Sequence, residues 1–321
     1  MTKQQIPNTI VTIGDIHYLW GLFLLIASVR KAGMKEPFLV GVQGFSQEAG
    51  HILTQLGDVE LLSLDDARHS LTCLKAYAML QAKSEFVTWA DSDAFFTGDV
   101  SSILLPEKKD EIHFRLREPS EMPAAFRGHA FGEDGRSIPA EVLAHWQRDV
   151  AAVAATEVRK EPRYQTTGSA SFFSLSLARH RAFLEQWHAL QMKVLPARNI
   201  GVVDASLRYY HQLDESTLNA CLNFLPDAPA VQNIYRMDKD PQRLFVHFIA
   251  QPKPWQGWTR RAFQHFDAYT AIPQWAIEQG YELPGPLPAS LQQSNKRRLQ
   301  WLIPWMTLKP KLQKRLRRLF P

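Results

Sequence analysis

Residues Phe86–Asp99 read FVTWADSDAFFTGD. The stretch opens on an apolar, β-rich run, Phe86-Val87-Thr88-Trp89. It then places two carboxylates, Asp91 and Asp93, on either side of one small residue, Ser92. A short apolar run bounded by polar residues fits a buried strand. With that strand ending near Ala90, the aspartates lie at its C-terminal mouth, where open α/β sheets bind ligands. Neighbouring carboxylates repel unless something neutralises them, and a divalent cation shared with a bound diphosphate does so. The competing reading is a polar turn after a strand, and D-x-D by itself does not separate the two.

The flanking sequence makes the strand part of a sheet. Asn8–Gly14 reads as a strand and turn, followed by Asp15-Ile16-His17-Tyr18 and an apolar helix through about Lys31, closed by Gly33. Phe38–Val42 and Val59–Leu64 read as two more strands. Between them Ser46 reads as an N-cap, with Glu48 in the first turn of a helix to about Leu56. Leu71–Lys83 has helical spacing and leads into the Phe86 strand. Strands alternating with helices predict a parallel sheet with crossover helices, four strands of it before residue 100. There is no G-x-G-x-x-G and no Walker A loop, so a nucleotide would be held by other means. Beyond residue 100, Glu107–Pro162 is charged and broken by Pro119, Pro123 and Pro139. It reads as an acceptor-side insertion with a helix from Pro139 to about Arg159. Gln165–Leu177 reads as a strand carrying small residues and Ala178–Gln191 as an amphipathic helix. Asp214–Phe224 begins a further helix and Leu244–Ile249 is a strand. Glu282–Ser290 is a Pro/Gly linker.

Composition narrows the function classes. The chain has 321 residues, 45% of them hydrophobic, which is enough for a full core and argues against global disorder. Its two cysteines, Cys73 and Cys221, form neither a metal-ligand spacing nor a disulfide framework. Met1–Thr9 is polar and lacks the apolar core of a secretory leader, and the longest apolar run, Tyr18–Ala27, is too short to span a bilayer. Net charge is +5, yet Leu291–Pro321 carries nine basic residues and no acid, which leaves −4 for the rest. That balance weighs against nucleic-acid binding by the main domain, which would want its basic residues on the folded face. Trp301, Ile303, Trp305, Leu312, Leu316 and Phe320 interleave with these cations, a pattern suited to an anionic membrane surface. The expected organisation is a catalytic domain over 1–281, a linker over 282–290 and a basic amphipathic membrane-associating tail over 291–321. The expected location is cytoplasmic, on the inner face of the membrane.

Four stretches, IGDIHY (13–18), ADSDAFFTGD (90–99), DESTLN (214–219) and HFIAQPKPW (247–255), occur in an order that resembles the retaining GT-A glycosyltransferases related to glycogenin and the bacterial lipopolysaccharide α-galactosyltransferases. The resemblance covers roughly residues 8–260, and H-F-x-x-x-x-K-P-W is its most specific element. It implies an α/β fold with a GT-A-type sheet of mostly parallel strands flanked by helices. It also implies transfer of a hexose from a UDP-sugar, with retention, to a glycan or lipid-linked acceptor such as a lipopolysaccharide core. Asp91, Asp93 and His247 resemble the family's ligands for Mn²⁺, with Mg²⁺ as the alternative. Lys253 would neutralise charge on the leaving diphosphate. Asp15 and Tyr18 resemble contacts to the uracil. Lys75, Ser92, Gly168 and Trp255 complete the donor-side set. Asp214 would bond donor hydroxyls, and Glu215 stands where the family usually has Gln, beside the anomeric carbon. A carboxylate there can stabilise an oxocarbenium-like transition state or act as nucleophile.

Each residue also has a plainer reading. Asp15 can be a helix N-cap, Tyr18 a half-buried core residue, Lys75 a solvated helix face, Lys253 a loop lysine, His247 a core histidine and Gly168 a tight packing point. Two other functions remain open at this level. A metal-dependent phosphohydrolase or nucleotidyltransferase would converge more carboxylates on the metal, and a turnover-deficient binding protein could share the fold.

Overall fold

The computed structural model describes residues 7–65, 69–121, 137–197, 206–234 and 244–303. Seven strands form one sheet. They are β1 (Asn8–Asp15), β2 (Phe38–Gln43), β3 (Val59–Ser63), β4 (Phe86–Ala90), β6 (Glu111–Leu116), β7 (Gly168–Ser176) and β8 (Ala230–Asn233), in the order β3-β2-β1-β4-β7-β6-β8. Pairings β1·β2, β1·β4, β2·β3 and β6·β8 are parallel, while β7 is antiparallel to both its neighbours. Six strands therefore run one way and β7 alone runs against them. A separate ribbon pairs β5 (Ala94–Phe96) with β9 (Phe245–His247). The sheet is the mostly parallel α/β arrangement that the alternating pattern predicts, with four of its strands before residue 100 and β5, a fifth strand there, outside it.

Alternation along the strands divides the core into two layers. Val11, Ile13, Leu39, Trp89, Phe114 and Phe173 face α3 (Lys75–Leu80), α4 (Ala140–Ala151), α5 (Leu177–Val194) and α6 (Asp214–Phe224). Ile10, Val40, Ala90 and Phe172 face α1 (Leu19–Lys31), α2 (Gln47–Thr54) and α7 (Phe266–Glu278). Covering both faces is what lets β1, β2 and β4 be buried almost throughout. Each large side chain so buried contributes about 1.5–3 kcal/mol of transfer free energy.

Three segments differ in detail from the sequence expectation. Leu71–Leu74 is 3₁₀ and α3 begins only at Lys75. The helix after Pro139 ends at Ala151, eight residues before Arg159. The stretch read as an insertion holds β6, which pairs with both β7 and β8, and α4, whose Val142, Trp146 and Val150 are core residues. The Pro/Gly segment 282–290 lies against the domain. Gln55 exchanges two hydrogen bonds with the Glu282 backbone, and the Trp258 indole donates to the Ser290 carbonyl at 2.7 Å. Residues 296–303 are helical, with Leu299 and Ile303 packed on the second core layer and Trp301 81% exposed. The rest of the basic tail lies outside the described residues. No described helix is long and apolar enough to cross a membrane.

Candidate metal and sugar site

The reversed strand decides where the site forms. Because β7 runs backwards, its first residue, Gly168, pairs with Leu116 at the C-terminal end of β6. The start of β7 is thus brought to the edge where β1 and β4 end in Asp15 and Ala90. The first turn of α6 reaches the same edge.

Asp91 follows the last residue of β4, and three groups hold it. Lys75 Nζ lies 2.7 Å from its Oδ1, the Trp89 indole N–H donates to the same oxygen at 2.8 Å, and His247 Nε2 lies 3.4 Å from Oδ2. Trp89 does double duty, since its ring also lies 4.8 Å below the Lys75 ammonium. Asp93 meets His247 Nε2 at 3.0 Å and Lys253 Nζ at 2.5 Å. The short ribbon brings His247 there, with Ala94 opposite His247 in register and the Phe248 N–H donating to the Asp93 carbonyl at 3.0 Å. Lys253 is 1% exposed and also donates to the Phe248 carbonyl at 2.6 Å.

Burial disfavours charge on Asp93, but His247 and then Lys253 outweigh it and hold the carboxyl well below its usual range. Burial likewise opposes charge on His247, and Asp93 followed by Asp91 overcomes it, raising the imidazole above its ordinary value. On the far side of Lys75, Asp214 Oδ2 lies 2.8 Å from the ammonium. Burial pushes Asp214 up to about 6 despite that partner, with the Asp91 charge adding to the rise. Lys75 itself loses to burial but gains more from Asp214 and Asp91, so its ammonium is held charged. An unbroken ionic chain results: Asp214, Lys75, Asp91, His247, Asp93, Lys253.

Glu215, next in the first turn of α6, belongs to a second set. Its Oε1 accepts from Arg117 Nη2 at 2.6 Å and its Oε2 from the Ala170 N–H at 3.2 Å. Asn219, one turn later, clamps the start of β7. Its Oδ1 accepts from the Gly168 N–H at 2.6 Å, and its amide donates to the carbonyls of Gly168 (2.9 Å) and Glu215 (2.7 Å). Gly168 has no room for a side chain, since a β-carbon would sit 1.9 Å from the Phe114 ring. Leu213, immediately before Asp214, has φ +51°, a conformation that costs a non-glycine residue about 1–3 kcal/mol and marks a helix start fixed by its surroundings.

The residues expected at a nucleotide base divide differently. Asp15 Oδ1 caps the turn that follows, accepting from the N–H groups of His17 (3.0 Å) and Tyr18 (3.2 Å). Tyr18 is half-buried, edge-on to Trp255 at 5.6 Å, and burial followed by the Asp93 charge pushes its hydroxyl up to about 12. Trp255 is buried, and its indole N–H has no partner among the described residues. It packs on α1 at Gly21, where a β-carbon would meet the Ser92 carbonyl at 2.5 Å and the Trp255 ring at 2.7 Å. Ser92 therefore sits with its backbone against the helix. Lys75 is not a solvated helix lysine and Lys253 is not a loose loop lysine.

Arg117, Trp89, Leu213 and Asn219 went unassigned in the sequence. Asn219 closes the DESTLN stretch (214–219), which could have pointed to it. Arg117 meets Glu215 across 98 positions, and no local signal announces that.

No protein-family model and no curated protein sequence matches the chain. Solved structures do. A bifunctional glycosyltransferase, WbbM, aligns with a TM-score of 0.57 at 13% identity, over 88% of this chain and 50% of that one. The sheet and its flanking helices share their fold with that structure. The fold is a GT-A-type glycosyltransferase fold. The glycosyltransferase GlyE of Streptococcus pneumoniae TIGR4 aligns at 0.49 and 14% identity, over 87% of this chain and 65% of that one. The galactosyltransferase LgtC, solved with donor and acceptor sugar analogues, aligns at 0.47 and 13% identity, over 83% and 95%. The chain thus spans half of WbbM and about two thirds of GlyE.

On this glycosyltransferase fold, the described residues contain one group of three or more His, Cys, Asp or Glu side chains able to share an ion. It is Asp91, Asp93 and His247, whose ligand atoms all lie within 4.8 Å of one another. Two carboxylates and an imidazole suit Mn²⁺ or Mg²⁺, carboxylate oxygen being the preferred donor for both and imidazole the softer addition.

Proposed function

We propose that the protein is a metal-dependent retaining glycosyltransferase that moves a hexose from a UDP-sugar to a glycan or glycolipid acceptor, in the synthesis of bacterial surface polysaccharide or lipopolysaccharide. The observation that carries this reading is the convergence of Asp91, Asp93 and His247 with the first turn of α6 at the C-terminal edge of the sheet. Asp91, Asp93 and His247 would hold Mn²⁺ or Mg²⁺, which when bound supplies positive charge to the leaving diphosphate. Lys253 carries a second positive charge on the same side. Lys75 binds Asp91 to Asp214 and so ties the two halves of the cleft together. Asp214 offers a carboxylate to donor hydroxyls, and Glu215 presents its negative charge beside the anomeric centre. Tyr18 and Trp255 form the apolar wall next to the Asp15 turn. A phosphohydrolase would gather further carboxylates on the ion, whereas here the adjacent Asp214 is taken up by Lys75.

The test is UDP release from a panel of UDP-sugars. Release should occur with at least one sugar, vanish with EDTA and return with Mn²⁺, and NMR of the product should report retention. No release from any donor overturns the reading. The tail fits peripheral membrane association, with Arg297, Arg298 and exposed Trp301 at its start. Flotation with anionic vesicles should be lost in a chain ending at Ser290, and equal flotation of both chains rejects the role.

A further inference from the structure

Glu215 is held by donors on both of its oxygens, Arg117 on one and the Ala170 N–H on the other. An amide cannot satisfy that arrangement, because its NH₂ would face a donor whichever way it turned. The pocket is therefore built for a carboxylate. Arg117 is itself fixed. Its Nη1 donates to Thr167 Oγ1 (3.0 Å) and to the Gly168 carbonyl (2.9 Å), and its backbone N–H donates to the Thr167 carbonyl (2.8 Å). The guanidinium joins the end of β6, the start of β7 and the first turn of α6, with 13% of the Arg117 side chain and 15% of that of Glu215 exposed. A planar fork with two commitments does not swing away as a lone lysine could.

We propose that Arg117 is a positioning residue that holds Glu215 as an oriented, hydrogen-bonded anion beside the reacting sugar, so that Glu215 acts by charge and does not bond to the sugar. This rests on the glycosyl-transfer reading of the cleft. The excluded step is specific. A Glu215 oxygen would form an ester to the anomeric carbon as the bond from that carbon to UDP breaks, and the UDP oxygen would keep the electron pair. An oxygen whose charge is shared with a guanidinium is a weakened nucleophile for that step, yet still stabilises positive charge on the sugar ring.

The test compares wild type, Arg117→Met, Arg117→Lys, Glu215→Gln and the Arg117→Met/Glu215→Gln double variant for UDP release with Mn²⁺. Arg117→Met should lower kcat about tenfold or more with donor KM changed less than about twofold. Arg117→Lys should recover part of the loss. In the Glu215→Gln background Arg117→Met should cost little more, since the two act as one unit. Intact mass after incubation with donor should show no hexosyl adduct on wild type. Arg117→Gln, which keeps one N–H₂ donor on a shorter, uncharged side chain, replaces Arg117→Met if the latter does not fold. Equal losses in both backgrounds, a loss confined to KM, or a trapped hexosyl ester on Glu215 overturns the proposal while wild-type turnover stands. A wild type inactive on every UDP-sugar removes the transfer reading and this role together.

Discussion

Asp93 and Glu215 are both carboxylates gripped by a cation at one edge of the sheet, and they are gripped in opposite ways. The partners of Asp93, His247 and Lys253, come from a single stretch of chain that reaches the site on a two-stranded ribbon. The partner of Glu215 follows the last residue of β6 and is bonded to the backbone at the start of β7. One grip can be exchanged for another cation by moving a single segment. The other can be undone only by disturbing the sheet. The difference would suit the proposed transfer, in which an ion and a leaving group come and go on one side while the sugar side stays fixed.

The largest effect belongs to the exchangeable side. Asp93→Asn removes a proposed metal ligand and leaves Lys253, 1% exposed, without its carboxylate. Turnover should fall by at least ~10³-fold, the upper range for one electrostatic contact. Calorimetric titration should show loss of Mn²⁺ binding. Unchanged Mn²⁺ affinity would erase the contrast between the two grips. Lys75→Met should be next, because Lys75 links both sides through Asp91 and Asp214. Stripping a buried ammonium from two carboxylates should cost about 3 kcal/mol of stability, read from the urea midpoint. It should also reduce both Mn²⁺ affinity and UDP release. Loss of only one of these would assign Lys75 to one side. The smallest effect is in pH. Burial raises Asp214 to about 6, so the carboxylate becomes protonated as pH falls through that value. If the ionised form is the working one, kcat should fall about tenfold per unit below pH 6, as for a single titrating group. Asp214→Asn should be slow at all pH values and lack this limb. A limb that persists in Asp214→Asn belongs to another group.

Much of the fold was legible because it is written locally. Asn8–Gly14, Phe38–Val42 and Phe86–Ala90 are apolar runs bounded by turn residues, and each is a strand of the sheet. Ser46 caps α2 through its hydroxyl, accepting from the Ala49 N–H, as its place before a helix predicts. The stretch after residue 107 was harder. Its charge and prolines hide β6, whose apolar side chains face the core only because β7 and β8 flank it. At the site, Asp91 and Asp93 stood out as a D-x-D pair after a strand, while His247 was marked only by the family resemblance carried by H-F-x-x-x-x-K-P-W. Lys75 and Lys253 were ambiguous, since sequence does not show whether a lysine is buried against a carboxylate.

By itself, then, the sequence determined which segments alternate as strands and helices, and that two carboxylates, Asp91 and Asp93, follow a strand with one residue between them. Both are properties of periodicity and side-chain type, and neither needs a distant partner. Only the tertiary structure decided that β7 runs against its neighbours, that Gly168 lies on the Phe114 ring, and that Arg117 grips Glu215. Those are contacts between residues far apart in the chain, fixed by hydrogen-bond register and by burial that no local pattern encodes.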